Sequence, residues 1–271
     1  MKRYPNLAAA MRTGCLAAGF WLTAAGYHSQ ADAASCRLPP LHAGVTFHLT
    51  GLDPSHACLL LPIVEHYTTA NKIGPMRTPL PQQLYDYLLD HPVMAAALVN
   101  RLELGLHKAV RLDAERFWAS DGEGTEGTLR LLYRDPITRI YYVEGRHDGT
   151  FLPAVTGKAV VLLRMRPITE SAGREEMETI MIAYTKLDNR LLSGLLSLVR
   201  PLAGKVITRQ ILKGFDAAQR LGEAIHRDPQ RVWFEANDPP ALEDQDLAFL
   251  KSALANLHNP AQGPEPMAAP R

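Results

Sequence analysis

Five segments between residues 110 and 186 alternate apolar and polar side chains and are joined by short polar connections. Residues 110–119, 128–134, 139–144, 158–166 and 177–186 read as strands. Between them lie 120–127, Asp135-Pro136, 145–149 and the polar loop 169–174. Period-two alternation bounded by Gly, Asp and Pro is a strand signal. Connections this short cannot hold a crossover helix, so consecutive strands pair antiparallel and form a meander. Any fold for this chain must cover that sheet.

The flanks suggest what covers it. Residues 37–81 contain Pro39, Pro40, Pro54, Pro62, Pro75, Pro79 and Pro81, which argue against long regular elements and predict an extended arm. Leu84, Tyr85, Leu88 and Leu89 then recur at helical spacing. Asp90-His91-Pro92 makes a break, and Met94, Leu98 and Leu102 resume a helix. After the strands, Asp188 or Asn189 caps a long helix to about Arg227, with a broad apolar stripe from Leu191 to Ile225 and an expected kink or break at Pro201. Asp228-Pro229 ends it, and a short amphipathic helix over 241–257 precedes a proline-containing tail. The expectation is an α+β fold, a curved antiparallel meander gripped by a long C-terminal helix. An arm at 34–80, the domain at 81–237 and a helix with tail at 238–271 complete the division.

The first 33 residues predict export. Lys2, Arg3 and Arg12 precede the apolar run 15–26, and Ala31-Asp32-Ala33 makes a small-x-small cleavage site. Twelve apolar residues are too few for a bilayer, which takes ~20. Ala33-Ala34-Ser35-Cys36 also invites a lipoprotein reading, but lacks Leu three residues before the Cys. Cleavage removes Lys2, Arg3, Arg12 and Asp32 from 29 basic and 28 acidic residues, and moves the net charge from +1 to about −1. That balance excludes a basic nucleic-acid binder. Cys36 and Cys58 remain, an even number in an oxidising compartment, and a disulfide between them is expected.

Motifs name no reaction. Residues 122–127 match G-x-G-x-x-G, yet Thr128 to Tyr133 reads as a strand where the dinucleotide fingerprint needs a helix, and Asp121, Glu123 and Glu126 would repel phosphate. The segment reads as a wide hairpin turn. His42, His48, His56 and His66 lack metal-ligand spacing, and no G-x-S-x-G elbow occurs. No catalytic residue, metal or cofactor is assigned.

Taking the more apolar alternation as inward presents Arg116 and Trp118, then Tyr133, then Tyr142 and Glu144, then Tyr184. An inward Arg116 and Glu144 need partners or a wet cavity. These six are the candidate cavity-lining residues, against the alternative of a register slip that returns both charges to solvent. Strand 158–166 is apolar on both alternations, which leaves its facing open.

The order of elements, with the turn 120–127, the strand Arg139-Ile140-Tyr141-Tyr142, the exit Tyr184-Thr185-Lys186-Leu187-Asp188 and the helix 191–225, resembles the START-like (helix-grip, SRPBCC) superfamily over residues 81–227. Pro201 and an apparent shortage of one or two strands depart from that pattern. The resemblance implies a cavity between sheet and long helix for a hydrophobic small molecule or lipid, and hence an exported binding or carrier protein. Two alternatives stay open, an enzyme of cyclase or hydrolase type using the same cavity, and an envelope interaction protein without a small ligand. The partners expected are the hydrophobic molecule or lipid, no nucleic acid, and an envelope protein or transient membrane contact.

Overall fold

A computed structural model describes residues 36, 38, 41–42, 45–46, 52–105, 107–149, 152–170, 173–188 and 196–258. The expected export signal, the first residues of the long helix (189–195) and the tail from Asn259 lie outside the described residues.

The proline-rich arm contains more regular structure than its composition suggests. After a two-residue pair, β1 (Leu41–His42) with β2 (Val45–Thr46), come a helix, α1 (Pro54–Glu65), and a ten-residue strand, β3 (Thr69–Thr78). Pro54, Pro75 and Pro81 occupy positions that need no backbone N–H, whereas Pro62 lies inside α1 and removes one of its hydrogen bonds. Pro54 opens α1 behind Asp53, whose side chain accepts from the Ser55 N–H at 2.8 Å, and Pro62 falls in the last turn. Pro75 sits where the ladder slips between Ile73 and Met76, on an edge strand. Pro81 is the N-cap of α2 (Gln82–Asp90). Cys36 is bonded to Cys58 in α1, a pairing consistent with an oxidising compartment.

After α3 (Pro92–Arg101) the strands run consecutively as β4 (Lys108–Arg111), β5 (Arg116–Ser120), β6 (Thr125–Arg134), β7 (Thr138–Gly149), β8 (Leu152–Thr169) and β9 (Glu175–Leu187). The segment expected as one strand over 110–119 is thus two. Asp113 turns the chain between them by accepting from the N–H groups of Glu115 and Arg116 at 3.0 and 2.8 Å. Strand order is β3-β9-β8-β7-β6-β5-β4, antiparallel throughout and open at both edges. The helices α4 (Leu196–Arg227), α5 (Pro229–Asn237) and α6 (Asp244–His258) close the chain, and α4 runs through Pro201 without a break. None of the described helices is long and apolar enough to cross a membrane.

The sheet is the middle of three layers. On one face Ile140, Tyr142, Val160, Leu162, Ile182 and Tyr184 pack under Leu60, Ile63 and Val64 of α1. On the other, Leu163, Met165 and Met177 join Leu84, Met94, Leu98, Ala217, Leu221, Ile225, Val232 and Leu250 from α2 to α6. β8 is apolar on both alternations because both of its faces are covered.

The sheet also curls. Gly127, Gly145 and Gly157 pair with one another across β6, β7 and β8. A Cβ on Gly127 would lie 2.5 Å from the Glu144 carbonyl oxygen, and one on Gly157 2.7 Å from that of Lys186. Strands approach this closely only where no Cβ intervenes. The curl brings both sides of the sheet to α4. Thr208 donates to Asn71 Oδ1 of β3 at 3.2 Å, and Lys213 pairs with Glu123 at the β5–β6 turn. At 100° per residue these two α4 positions stand about 140° apart and bracket the outer arc of the helix. Arg209, Leu212, Asp216 and Gln219 lie in that arc and are exposed. On the side away from that arc, Ala217, Leu221 and Ile225 are buried.

Substituting Gly127→Val forces the 2.5 Å approach apart. The expected outcome is a loss of about 2 kcal/mol in urea-unfolding stability, as for overpacked interiors. A midpoint equal to that of the wild type would show that the sheet does not depend on this contact.

Candidate functional site

The face of the sheet toward α4 changes character along its length. Two rows cross it. One runs Thr69, Thr185, Ala159, Val143, Leu129, Phe117, and the other Asn71, Ala183, Val161, Tyr141, Leu131. Beyond them on the same face, Leu163, Met165 and Met177 are 5%, 3% and 0% exposed. By contrast Ala159, Val143, Leu129 and Phe117 remain half-buried although they stand on interior strands. An apolar row on central strands normally finds full cover. Here it stays partly open.

A cleft of about 710 Å³ opens from this face. Phe117, Leu131 and Tyr141 belong to the face and also line the cleft, and Leu89, Asp90 and His91 from the α2–α3 joint form another wall. Arg111 and Glu115 flank it from β4 and the turn that follows, and Glu243 and Gln245 from the start of α6. The Arg111 guanidinium lies 5.0 Å above the centre of the Phe117 ring.

Ion pairs fix the polar wall. Arg139, 2% exposed, bonds Asp86 at 2.9 Å and also Asp90, which takes Arg134 at 2.9 Å as well. Burial opposes charge on Arg139, but the bonds to Asp90 and Asp86 outweigh it and hold the guanidinium protonated. Burial pushes the Tyr141 hydroxyl up to about 12, against the opposing pull of Arg139. His91 Nδ1 lies 2.7 Å from Asp246, and its ring stacks on Tyr87 at 3.9 Å, which stacks in turn on Phe249 at 3.5 Å. Tyr87 donates to Asp246 at 2.9 Å, and burial and that carboxylate raise its hydroxyl. This stack ties α6 to the α2–α3 joint. Among the described residues no three His, Cys, Asp or Glu side chains come together as a metal site.

The six residues expected to line a cavity share the other face. Arg116, Tyr142 and Tyr184 lie in one row with Arg130 and Val160, and Trp118 and Glu144 in the next. Tyr184 is fully buried beside Tyr67, with ring centres 5.6 Å apart, and Tyr142 is 8% exposed, both under α1. Arg116 and Glu144 do not meet. Arg116 pairs with Asp113 at 2.6 Å, while Glu144 pairs with Lys158 at 2.9 Å and accepts from the Tyr142 hydroxyl. The Tyr142 bond and then Lys158 hold the Glu144 carboxyl below its usual range. Trp118 is half-buried. Tyr133 packs on the α1 side, donates to Asp135 at 2.9 Å and also lines the cleft. Sequence reasoning left out Phe117, Tyr141 and Val143, while Leu129 stood on the alternation taken as inward in β6 together with Tyr133. For Phe117, Tyr141 and Val143 the signal was the alternation not selected in β5 and β7.

No protein-family model and no curated protein matches the sequence. Among solved structures the chain is similar to a conserved protein from Geobacillus kaustophilus, with a TM-score of 0.40 and 11% identity. That match covers 57% of this chain and 95% of the other.

Tyr141 and Tyr184 are both raised from the ordinary value near 10 to about 12 by burial. Each therefore contributes stability that is fully present below pH 10 and is lost as pH rises through about 12. In an absorbance titration at 295 nm, Tyr141→Phe is expected to delete one tyrosine from the late phase and none from the phase near 10. Loss from the early phase would contradict the buried placement of this hydroxyl.

Proposed function

We propose that this chain is an exported binding or carrier protein that holds a hydrophobic small molecule or lipid between the curled sheet and α4. The observation that carries the reading is the half-buried apolar row Phe117, Leu129, Val143 and Ala159. It lies on the face that is packed shut at Leu163, Met165 and Met177. Small-molecule sites are largely apolar and concave, with a few placed polar groups. A surface that stays open at one end only is suited to such a site, and the cleft beside Phe117 and Tyr141 is suited to be its mouth.

Element order supports a START-like, helix-grip relationship. Helices α2 and α3 precede the strongly curved meander, and one long helix crosses the sheet after it. The strands that looked deficient in number are supplied by β3 and by the division of 110–119 into β4 and β5. The Cys36–Cys58 bond favours a location outside the reducing cytoplasm, in the periplasm or beyond.

Solvent extraction of the purified full chain followed by mass spectrometry is expected to release a lipid-like molecule near one per chain. Val143→Trp, which fills the open row, is expected to lower that yield several-fold while the circular dichroism spectrum is kept. Background lipid alone in the wild-type extract, or an undiminished yield from the Trp variant, would remove this reading.

A further inference from the structure

The half-open row does not end at β5. Across the β4–β5 ladder Phe117 pairs with Arg111, so Arg111 heads the series Phe117, Leu129, Val143 and Ala159 on one face of the sheet. Its guanidinium lies 5.0 Å above the Phe117 ring, and both side chains line the cleft. The other ionic groups nearby are engaged or stand on another wall. Arg134 bonds Asp90, Arg139 bonds Asp90 and Asp86, Arg130 bonds Glu115, and His91 is held by Asp246. Glu243 is exposed at the start of α6, where its charge reaches Tyr87. Among the described residues Arg111 has the Phe117 ring beneath it and no carboxylate. An exposed arginine without a partner is ordinary on an open surface. This one stands at the mouth of a cleft and at the head of an apolar row.

From this, and resting on the function proposed above, we infer that the bound molecule is an amphipathic carboxylate. Its head meets Arg111 at the mouth, and its apolar chain runs along Phe117, Leu129, Val143 and Ala159. The two ends of the row set these requirements. A guanidinium presents a planar fork of donors that matches both oxygens of a carboxylate, and the ring beneath it limits its orientation. Behind it, Phe117, Leu129, Val143 and Ala159 include no ionisable group. A charged head therefore stays at the rim in contact with water, and only the chain is desolvated. A hydroxyl head gains little from Arg111, and an ammonium head is repelled by it. The span sets the length. The three interstrand steps from Phe117 to Ala159 cover about 14 Å. An extended chain of C–C bonds near 1.5 Å rises ~1.3 Å per carbon, so roughly ten carbons fill the row.

The test titrates the full chain by calorimetry at neutral pH with decanoate, 1-decanol, decyltrimethylammonium and hexanoate, each below its micelle concentration. Wild type is expected to bind decanoate about fivefold more tightly than decanol, and the ammonium most weakly of the three ten-carbon probes. Hexanoate, four methylenes shorter than decanoate, is expected to bind more weakly by on the order of a hundredfold. Arg111→Gln is expected to equalise decanoate and decanol while keeping the affinity for decanol. Its melting temperature is expected to match the wild type, because Arg111 is exposed and pairs with no carboxylate among the described residues. Decanol bound as tightly as decanoate by the wild type, the ammonium as the tightest probe, hexanoate equal to decanoate, or a preference that survives in Arg111→Gln would each overturn this inference alone. The wild-type ranking decides the matter whether or not the variant folds. Failure of all three ten-carbon probes to bind overturns the cavity reading, and this inference falls with it.

Discussion

The close approach of strands across Gly127, Gly145 and Gly157 is the constraint on which the rest of this molecule depends. A flat seven-stranded sheet would present β3 and the β5–β6 turn far apart, on the two sides of its width. With a Cβ-free row through β6, β7 and β8, strands can coil until both reach one helix. Thr208–Asn71 and Lys213–Glu123 then hold α4 from opposite flanks within five residues of each other. The ion pair is surface-exposed on the Glu123 side and contributes little stability by itself. Its position matters more than its strength, since it marks where the curled sheet meets the helix.

Cover on two faces divides the sheet between two tasks. The α1 face is a closed core. Tyr184, Ile140 and Val160 are fully buried there under a short helix that the Cys36–Cys58 bond secures to the N-terminal segment. A 22-residue separation contributes ~3 kcal/mol through the unfolded state in the chain-entropy account. That face supplies rigidity. The α4 face is packed where α2, α3 and the second half of α4 converge, and half-open across β5 to β8. One side of the sheet thus carries the stability that allows the other to stay incompletely filled.

How much of this was legible can be argued residue by residue. The meander, its antiparallel pairing and the long helix follow from period-two and period-3.6 patterns that tertiary packing reinforces. β3 was hidden because Pro75 argues against a strand, and only the ladder slip at an edge position makes it acceptable. The turn at Asp113 was hidden because apolar alternation continues straight through it. The six candidate residues fall on the α1 face for a subtler reason. Choosing the more apolar alternation finds the better-covered face, and α1 made that the closed core. Tyr142 and Tyr184 were selected for being apolar enough to bury, and they are buried. Val143 belongs to the alternation not selected in β7, whereas Leu129 was selected in β6, and the ladder slip between Leu131 and Tyr133 leaves it on the α4 face while Tyr133 packs on the α1 side. The Thr208–Asn71 bond emerges only when β3 and α4 are in contact.

Charge placement completes the physical picture. The ionic groups of the cleft are mostly engaged with one another: Arg139 with Asp86 and Asp90, Arg134 with Asp90, Arg130 with Glu115, and His91 with Asp246. They stand at the α2–α3 joint, the β4–β5 turn and the start of α6, outside the two uncharged rows. Polarity therefore grades from a paired ionic rim, through the Phe117 and Tyr141 rings, to the half-buried apolar row Leu129, Val143 and Ala159. Paired charges at the rim leave little net charge to meet the apolar row behind them. A charge moved from that rim onto the apolar row would be desolvated without a counter-ion in either row.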